Sequence, residues 1–431
     1  MMMKFKITLL ILFLMLVSSR IMAEETDTVL SLDQYVSLVL EKNRKAVTAR
    51  NNTTAAIEMK REAFTKYFPE IFATGMTFWA NHDILQYNLL DIIELGIIKK
   101  GKMAGIQAMQ PVFLGGRIVN GNKLAGVGEE VAKIREEQTA DELRLTAQTM
   151  YWKLITLQAT RETLTDAIST LDSLAREVGA AVDAGVALNN DLLKVKIKRN
   201  GYEADLVDLD NGISLVKMLL GQYAGLGTEG NIKVNEEVPP HVPPFPWDIY
   251  VSSSDALPLL PDHKLLLKNV EAKKLEKRMT IGSNLPSVAF GAGWYYHDLL
   301  EQNHNFGALQ LAVEVPLSGW WGGAYAIKRK NVELANAKIE LEDLSEELIV
   351  EIRDKWNNLT ASHRKMEIES EGVAQSAENL RLNRIYFEAG MVTVADLLEA
   401  ETEWKQAKER YITAYGNFRT DMAGYLIATG R

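Results

Sequence analysis

The sequence predicts a mainly α-helical protein built from two tandem copies of one unit, each interrupting its helices with a β-hairpin of membrane-spanning length. Three observations predict this. Motifs recur at a period near 205 residues, prolines are confined to a few places, and the hydrophobic period changes from seven residues to two and back. A period that long exceeds any solenoid repeat, so it marks two domain-sized copies.

The recurrence is explicit. Ala184-Gly185 returns as Ala389-Gly390, Asp191-Leu192-Leu193 as Asp396-Leu397-Leu398, and Pro111 as Pro316, each 205 residues later. Upstream, Trp79-Ala80-Asn81-His82-Asp83 returns as Trp294-Tyr295-Tyr296-His297-Asp298 at a separation of 215. Seven of the eleven prolines fall in 239–261, between the copies, and none falls in 117–238 or 317–431. Proline removes a donor and breaks helices, so the proline-free stretches can run as long helices. The segment Val238-Pro239-Pro240-His241-Val242-Pro243-Pro244-Phe245-Pro246 reads as an extended, semi-rigid connector. Ile232-Lys233-Val234 ahead of it is a candidate strand.

Heptads fill the proline-free stretches. Leu143, Met150, Leu157, Leu164, Leu171 and Val178 are apolar at every seventh residue, as are Ile352, Leu359, Met366, Val373, Leu380 and Phe387. Ala147, Leu154, Ile168, Ala175 and Val182 form a companion seam, with Arg161 the exception. After each Ala-Gly the spacing resumes, through Leu188, Val195, Tyr202, Leu209 and Val216 and through Leu397, Trp404, Tyr411, Phe418 and Tyr425. A sustained 3.5-residue spacing means helices that wrap one another. Each copy thus holds a helix of about 65 residues, a tight turn at Gly, and a second helix of about 30–35, the longer spanning on the order of 100 Å.

Between Pro286 and Pro316 the period is two. Val288, Phe290, Ala292, Trp294 and Tyr296 alternate with Ala289, Gly291, Gly293 and Tyr295. Leu309, Leu311, Val313 and Val315 alternate with Gln310, Ala312 and Glu314. Two strands of about ten residues, joined at 297–305, have the length and alternation of a transmembrane β-strand pair, apolar side chains toward lipid and Gly, Ala, Gln and Glu toward a lumen. Trp79, Trp294, Tyr296, Trp320 and Trp321 are expected at the strand ends, where an aromatic girdle belongs. The first copy shows its pair less cleanly, around 70–79 and 103–113, with a longer apolar connection (84–98) whose role stays open. Two amphipathic hairpins on a soluble domain are the ordinary alternative.

The chain begins with Lys4 and Lys6 and the apolar run Ile7 to Val17, followed by Ser18, Ser19 and Ala23. This reads as a signal peptide cleaved near Ala23, because the run is too short for a permanent anchor. There is no cysteine, hence no disulfide and no lipidated N-terminal Cys. The net charge of −9 becomes −12 once residues 1–23, with three cations and no acid, are removed. That balance argues against nucleic acid and against an anionic membrane surface as a partner of the chain as a whole. No later stretch is apolar enough for a membrane helix, so membrane entry requires a closed β-barrel. The expected domain map is a signal peptide at 1–23, a first repeat at 24–222 and a Gly/Pro-rich connector at 223–254, followed by a second repeat at 255–431. The first repeat holds a hairpin about 67–116 and helices about 117–184 and 189–222. The second holds a hairpin about 284–317 and helices about 322–389 and 393–429.

The order helix, strand, strand, very long helix, Gly turn, shorter helix resembles the TolC-like outer-membrane efflux proteins from about Ser31 to Thr429. Ser31-Leu32-Asp33-Gln34-Tyr35 through Lys42-Asn43 is similar to the family's opening helix. Tyr67-Phe68-Pro69 and Asn284-Leu285-Pro286 resemble its hairpin starts, and Pro111-Val112-Phe113-Leu114-Gly115-Gly116-Arg117 and Pro316-Leu317-Ser318-Gly319-Trp320-Trp321-Gly322-Gly323 its hairpin ends. Phe387-Glu388-Ala389-Gly390 with Asp396-Leu397-Leu398-Glu399-Ala400 resembles its helix-to-helix turn. The resemblance implies a homotrimer in which four strands per protomer complete a twelve-stranded barrel, continued by a periplasmic α-barrel. It also implies work with a periplasmic adaptor (membrane fusion) protein and an inner-membrane RND or ABC-type pump, without a cofactor.

The family places an acidic residue six positions after the turn Gly near the periplasmic constriction. Asp191 and Asp396 stand there, and Glu399 at a second acidic position; Lys194 takes the matching place in the first copy. Carboxylates ringed by three-fold symmetry favour cations and raise one another's pKa. Helix capping is the plain alternative. The family's basic gate residue is absent, because Val392 occupies its place. Adaptor docking is expected at Gly185, Val186 and Leu188 and at Gly390, Met391 and Val392, small or apolar where a solvated loop is polar. An ordinary C-terminal Gly cap is the other reading. His82-Asp83 and His297-Asp298 are conceivable metal ligands, and a polar loop is the ordinary reading. No nucleophile elbow, phosphate loop or metal-ligand run marks an enzyme. The competing function is a periplasmic coiled-coil scaffold.

Overall fold

The structure, a computed structural model, describes residues 28–82, 84, 86–89, 93–96, 98–227, 232–299, 303–317 and 319–431. The expected signal peptide lies outside the described residues. The elements in order are β1 (Thr28–Leu30), α1 (Leu32–Lys42), α2 (Arg44–Thr65), β2 (Glu70–Trp79), β3 (Gln86–Leu89), β4 (Ile93–Gly96), β5 (Lys100–Phe113), α3 (Arg117–Asp183) and α4 (Asn189–Tyr223). They continue with β6 (Ile232–Val234), three short helical turns between Trp247 and Leu259, α5 (Pro261–Gly282), β7 (Ser287–Asp298), β8 (Asn303–Glu314), α6 (Gly319–Glu388) and α7 (Val394–Ile427). No described helix is long and apolar enough to cross a membrane.

The chain divides into two compact units. The first comprises the described residues up to Thr48, Glu137–Leu260 and Leu348–Arg431. Its interior holds two apolar clusters. Heptad residues supply them: Leu143, Ile352, Leu359 and Met366 are buried in one, Leu164, Leu171 and Val178 in the other. Arg161 breaks the companion seam without entering either cluster. It is half-exposed and its Nε reaches Asp210 Oδ1 on α4 at 2.5 Å. A surface pair of that kind contributes under about 1 kcal/mol, so it decorates the packing of α3 on α4 rather than causing it.

The proline-rich connector folds onto this unit because prolines leave carbonyls that need donors from elsewhere. Tyr411 O–H donates to the Pro239 carbonyl at 2.8 Å, and His363 Nε2 lies 2.9 Å from the Pro243 carbonyl. Tyr425 O–H sits on Val251, accepting from its N–H at 2.9 Å. Upstream, β6 pairs in parallel with β1, Thr28 opposite Ile232. The opening helix α1 starts with a capping box between Ser31 and Gln34. It is tied down by Tyr35 O–H on the Leu220 carbonyl and by Asn43 Nδ2 on the Tyr223 carbonyl, at 3.2 and 2.8 Å.

The second unit, Ala49–Glu136 and Pro261–Glu347, holds a four-stranded antiparallel sheet of order β2-β5-β7-β8. The segment between β2 and β5 adds a small hairpin, β3 with β4, that stays apart from this sheet. The turn after β5 seats Gly115 against the end of α5: a Cβ on Gly115 would lie 2.2 Å from the Gly282 carbonyl oxygen. Gly115 and Gly116 both have positive φ, 62° and 77°. Gly322 and Gly323 do not reproduce that turn, because α6 already begins at Gly319 and takes them into its first turn.

Candidate functional site

The register of the sheet sorts its side chains onto two faces. Ile71, Ile106 and Ala108 share one face with Val288, Phe290, Trp294, Leu309, Leu311 and Val313. Most of these are exposed to the outside of the unit. The opposite face carries Gly105, Gln107, Gly291, Gly293, Gln310 and Glu314, with Tyr295, Phe306, Met76 and Met103 among them. There Tyr295 lies across Gly105 and Gly293, its O–H donating to Gln107 Oε1 at 2.7 Å, and stacks on Phe306 at 5.4 Å. Both long edges of the sheet, β2 and β8, lack a pairing strand within the described residues. Ten- and twelve-residue edges with open N–H and C=O groups are templates for further pairing.

The aromatic residues expected at a girdle are spread over strands and helix. Trp79 closes β2 and Tyr296 stands two residues from the end of β7, its O–H on Asn303 Oδ1 at 2.9 Å. Trp294 is four residues inside that end and exposed. Trp320 and Trp321 belong to the first turn of α6 instead of a strand end, since the helix starts earlier than the expected residue 322. Trp321 is exposed, and the Trp320 side chain lies outside the described residues.

The helix turns are built by backbone chemistry. At the first, Gly185 N–H donates to the Val182 carbonyl and Val186 N–H to the Ala181 carbonyl, both at 2.9 Å. At the second, Gly390 donates to Phe387 at 2.9 Å and Met391 to Tyr386 at 2.8 Å. With φ of 75° and 71° at the glycines, both are Schellman caps. Such caps usually bury the residue after the glycine against the helix. Here Val186 is 80% and Met391 71% exposed. Leu188 is exposed and caps α4 with no side-chain bond, while Val392 is partly covered.

Past the turns, the carboxylates differ. Asp396 is the N3 residue of α7 in a capping box: its Oδ2 accepts from Thr393 Oγ1 at 2.7 Å and Thr393 N–H at 2.8 Å, and Thr393 Oγ1 accepts the Asp396 N–H at 3.2 Å. The Thr393 hydroxyl, then its backbone N–H, hold the Asp396 carboxyl below the ordinary carboxylate range. Asp191 lies in the first turn of α4 and pairs with Lys194 Nζ at 3.0 Å. Glu399 is exposed on α7. The chain thus shows capping at Asp396 and a local ion pair at Asp191.

The heptad reading missed a polar cluster between α4 and α7. Glu401 is 2% exposed; Tyr202 O–H donates to its Oε2 at 3.1 Å, and Oε1 meets no donor. Burial raises the Glu401 pKa, against the opposing pull of the Tyr202 hydrogen bond and of Lys198 and Lys405. Lys405 is itself buried, paired with Glu409 at 2.8 Å, and places Nζ 4.8 Å from the Tyr202 ring centre. The signal was present in the seven-residue series Val394, Glu401, Lys408, Tyr415, where charges occupy a helix seam.

His297 and His304 face each other across β7 and β8 with ring centres 5.5 Å apart. His82 is exposed, and Asp83 lies outside the described residues. Among the described residues no three His, Asp or Glu side chains converge as metal ligands.

This fold, long paired helices with an open four-stranded sheet, is similar to that of solved outer membrane channels. Residues 282–426 match the family described as outer membrane efflux protein. No curated relative matches the chain. Among solved structures, the fold is similar to the outer membrane protein VceC of Vibrio cholerae, with TM-score 0.79 and 14% identity over 93% of this chain and 96% of that one. The CmeC outer membrane channel of Campylobacter jejuni matches with TM-score 0.80 and 14% identity over 93% and 85%. The open state of the MtrE outer membrane channel of Neisseria gonorrhoeae matches with TM-score 0.73 and 15% identity over 93% and 88%. The resemblance to the TolC-like outer-membrane efflux proteins read from the sequence therefore holds, in fold over nearly the whole chain and in sequence over 282–426.

Proposed function

We propose that the chain is the outer-membrane channel of a tripartite efflux pump or type I secretion system, a passive exit duct rather than an enzyme. The observation that carries the reading is the sheet. Four strands cannot close a barrel, and this sheet has one apolar face, one Gly- and Gln-bearing face, and two edges without a pairing strand among the described residues. Its strand number is even and its neighbours antiparallel, so β8 of one protomer can pair antiparallel with β2 of the next. Three protomers then close a twelve-stranded barrel in the outer membrane, with no edge left open. Each protomer's long helices, doubled by the two tandem repeats, line a duct extending into the periplasm.

In this assembly the turns at Gly185, Val186 and Leu188 and at Gly390, Met391 and Val392 dock a periplasmic adaptor, which links the channel to an inner-membrane RND or ABC-type pump. Exposed Val186 and Met391 at otherwise well-formed caps support that reading. Asp191, Asp396 and Glu399 form the periplasmic gate, three copies of each around the axis. Trp79, Trp294, Tyr296, Trp320 and Trp321 contact outer-membrane lipid near the interfaces. Planar-bilayer recording tests the proposal. The wild type is expected to conduct with cation preference, and Asp396→Asn with Glu399→Gln to weaken that preference. Unchanged selectivity removes the gate assignment. A chain released by osmotic shock, with no conductance, points instead to the scaffold. Gly390→Trp is expected to block export while trimers still form.

A further inference from the structure

The second unit holds a groove between α2 and α3 that the channel reading does not use. Its volume is about 690 Å³, and Lys60, Arg61 and Phe64 of α2, with Tyr67 just past its end, line it together with Val119 and Lys123 of α3. The aromatic side is a cluster. Phe64 packs edge-on against both Tyr67 and Phe68 with ring centres 5.6 Å apart, yet Phe64 and Phe68 are each 55% exposed. β2 begins two residues beyond Phe68. Lys60 pairs with Glu129 at 2.7 Å and Arg61 with Glu58 at 2.6 Å, whereas exposed Lys123 makes no ion pair or hydrogen bond among the described residues. Glu129, the acid in the groove, is already neutralised by Lys60 and by Lys133 at 2.5 Å.

We infer that this groove binds the headgroup of an anionic phospholipid where the strands enter the bilayer, its phosphate on Lys123 with Lys60 and Arg61 beside it. The inference rests on the channel reading, since only a sheet that enters a membrane brings lipid to its first residues. Charge and continuity select the occupant. Exposed rings next to a strand start suit the headgroup layer, where amphipathic aromatics settle. An unpaired cation beside them suits a lipid phosphate, and the apolar wall of Phe64 and Val119 suits the glycerol and upper acyl carbons.

The test is native mass spectrometry of the full chain, solubilised in detergent and titrated with phosphatidylglycerol or phosphatidylcholine of the same acyl chains. The wild type is expected to bind phosphatidylglycerol more tightly, without competition from inorganic phosphate. Lys123→Gln is expected to weaken it about fivefold, and Lys60→Gln, Arg61→Gln and Lys123→Gln together on the order of 100-fold, while Lys123→Arg retains it. Lys123→Gln breaks no ion pair or hydrogen bond among the described residues, so it decides the matter even where the triple variant fails to fold. Equal binding of the two lipids, an unchanged Lys123→Gln, or competition by inorganic phosphate each overturns the site. Bilayer conductance, measured on the same wild-type sample, separates the two ideas. A conducting protein without lipid preference sinks the lipid site alone; a non-conducting one sinks the channel and the site with it.

Discussion

Replacing Gly115 by alanine is expected to cost far more than the same change at Gly185, although both glycines have positive φ. An alanine held in the left-handed region costs ~1–2 kcal/mol at either place. At Gly185, φ 75°, an added Cβ has nothing within 4 Å, so that cost stands alone. At Gly115, φ 62°, the Cβ lands 2.2 Å from the Gly282 carbonyl oxygen and 2.8 Å from its Cα. These are backbone atoms at the end of α5 and cannot rotate away. Opening the contact to van der Waals distance requires a shift of more than 1 Å between the β5–α3 turn and α5, and overpacking of this kind adds ~1–3 kcal/mol. The expected total is ~2–5 kcal/mol for Gly115→Ala against ~1–2 for Gly185→Ala. Urea titration of the two variants and the wild type, followed by circular dichroism at one temperature and salt, measures the difference. Equal midpoints for Gly115→Ala and Gly185→Ala would falsify the close-approach argument and leave φ as the sole reason for glycine at both turns.

Glu401 should make stability depend on pH. Its folded pKa is raised above 4.5, so the folded chain holds its proton longer, and stability falls as pH rises from about that value through the folded one. Glu401→Gln keeps an acceptor for Tyr202 and should flatten the profile in thermal scans between about pH 4 and pH 8, the span over which a buried carboxylate can titrate; an unaltered profile assigns the dependence to other groups. Asp396 runs the opposite way: its lowered pKa stabilises the cap above about 3.8, and the contribution disappears as pH falls through the folded value. Thr393→Ala should return the Asp396 titration toward 3.8, read by NMR of a labelled side chain. Leu359, fully buried on the α6 seam, should cost ~2–5 kcal/mol when cut to alanine, again by urea titration. A loss under about 1 kcal/mol there means the seam is not a packed core.

What the sequence by itself determined was local. Helix ends were legible because proline, glycine and the seven-residue spacing act over a few turns. Asp183 and Glu388, the last residues of α3 and α6, stand two before Gly185 and Gly390. The two-residue alternation of β7 and β8 was legible for the same reason, since adjacent side chains of a strand point to opposite faces whatever lies around them. Tertiary structure alone decided what depends on partners distant in the chain. The pairing of β5 with β7, Ile106 opposite Trp294, joins residues almost two hundred apart, and no local pattern specifies such a register. Gly115 needs its hydrogen because Gly282 arrives against it, a contact invisible in either motif. Gly115-Gly116 and Gly322-Gly323 look alike in sequence, yet one pair is a left-handed turn and the other a first helical turn. Glu401 reads as one more solvated carboxylate until α4 closes over it and strips its water, and desolvation is a property of the packed neighbours rather than of the residue.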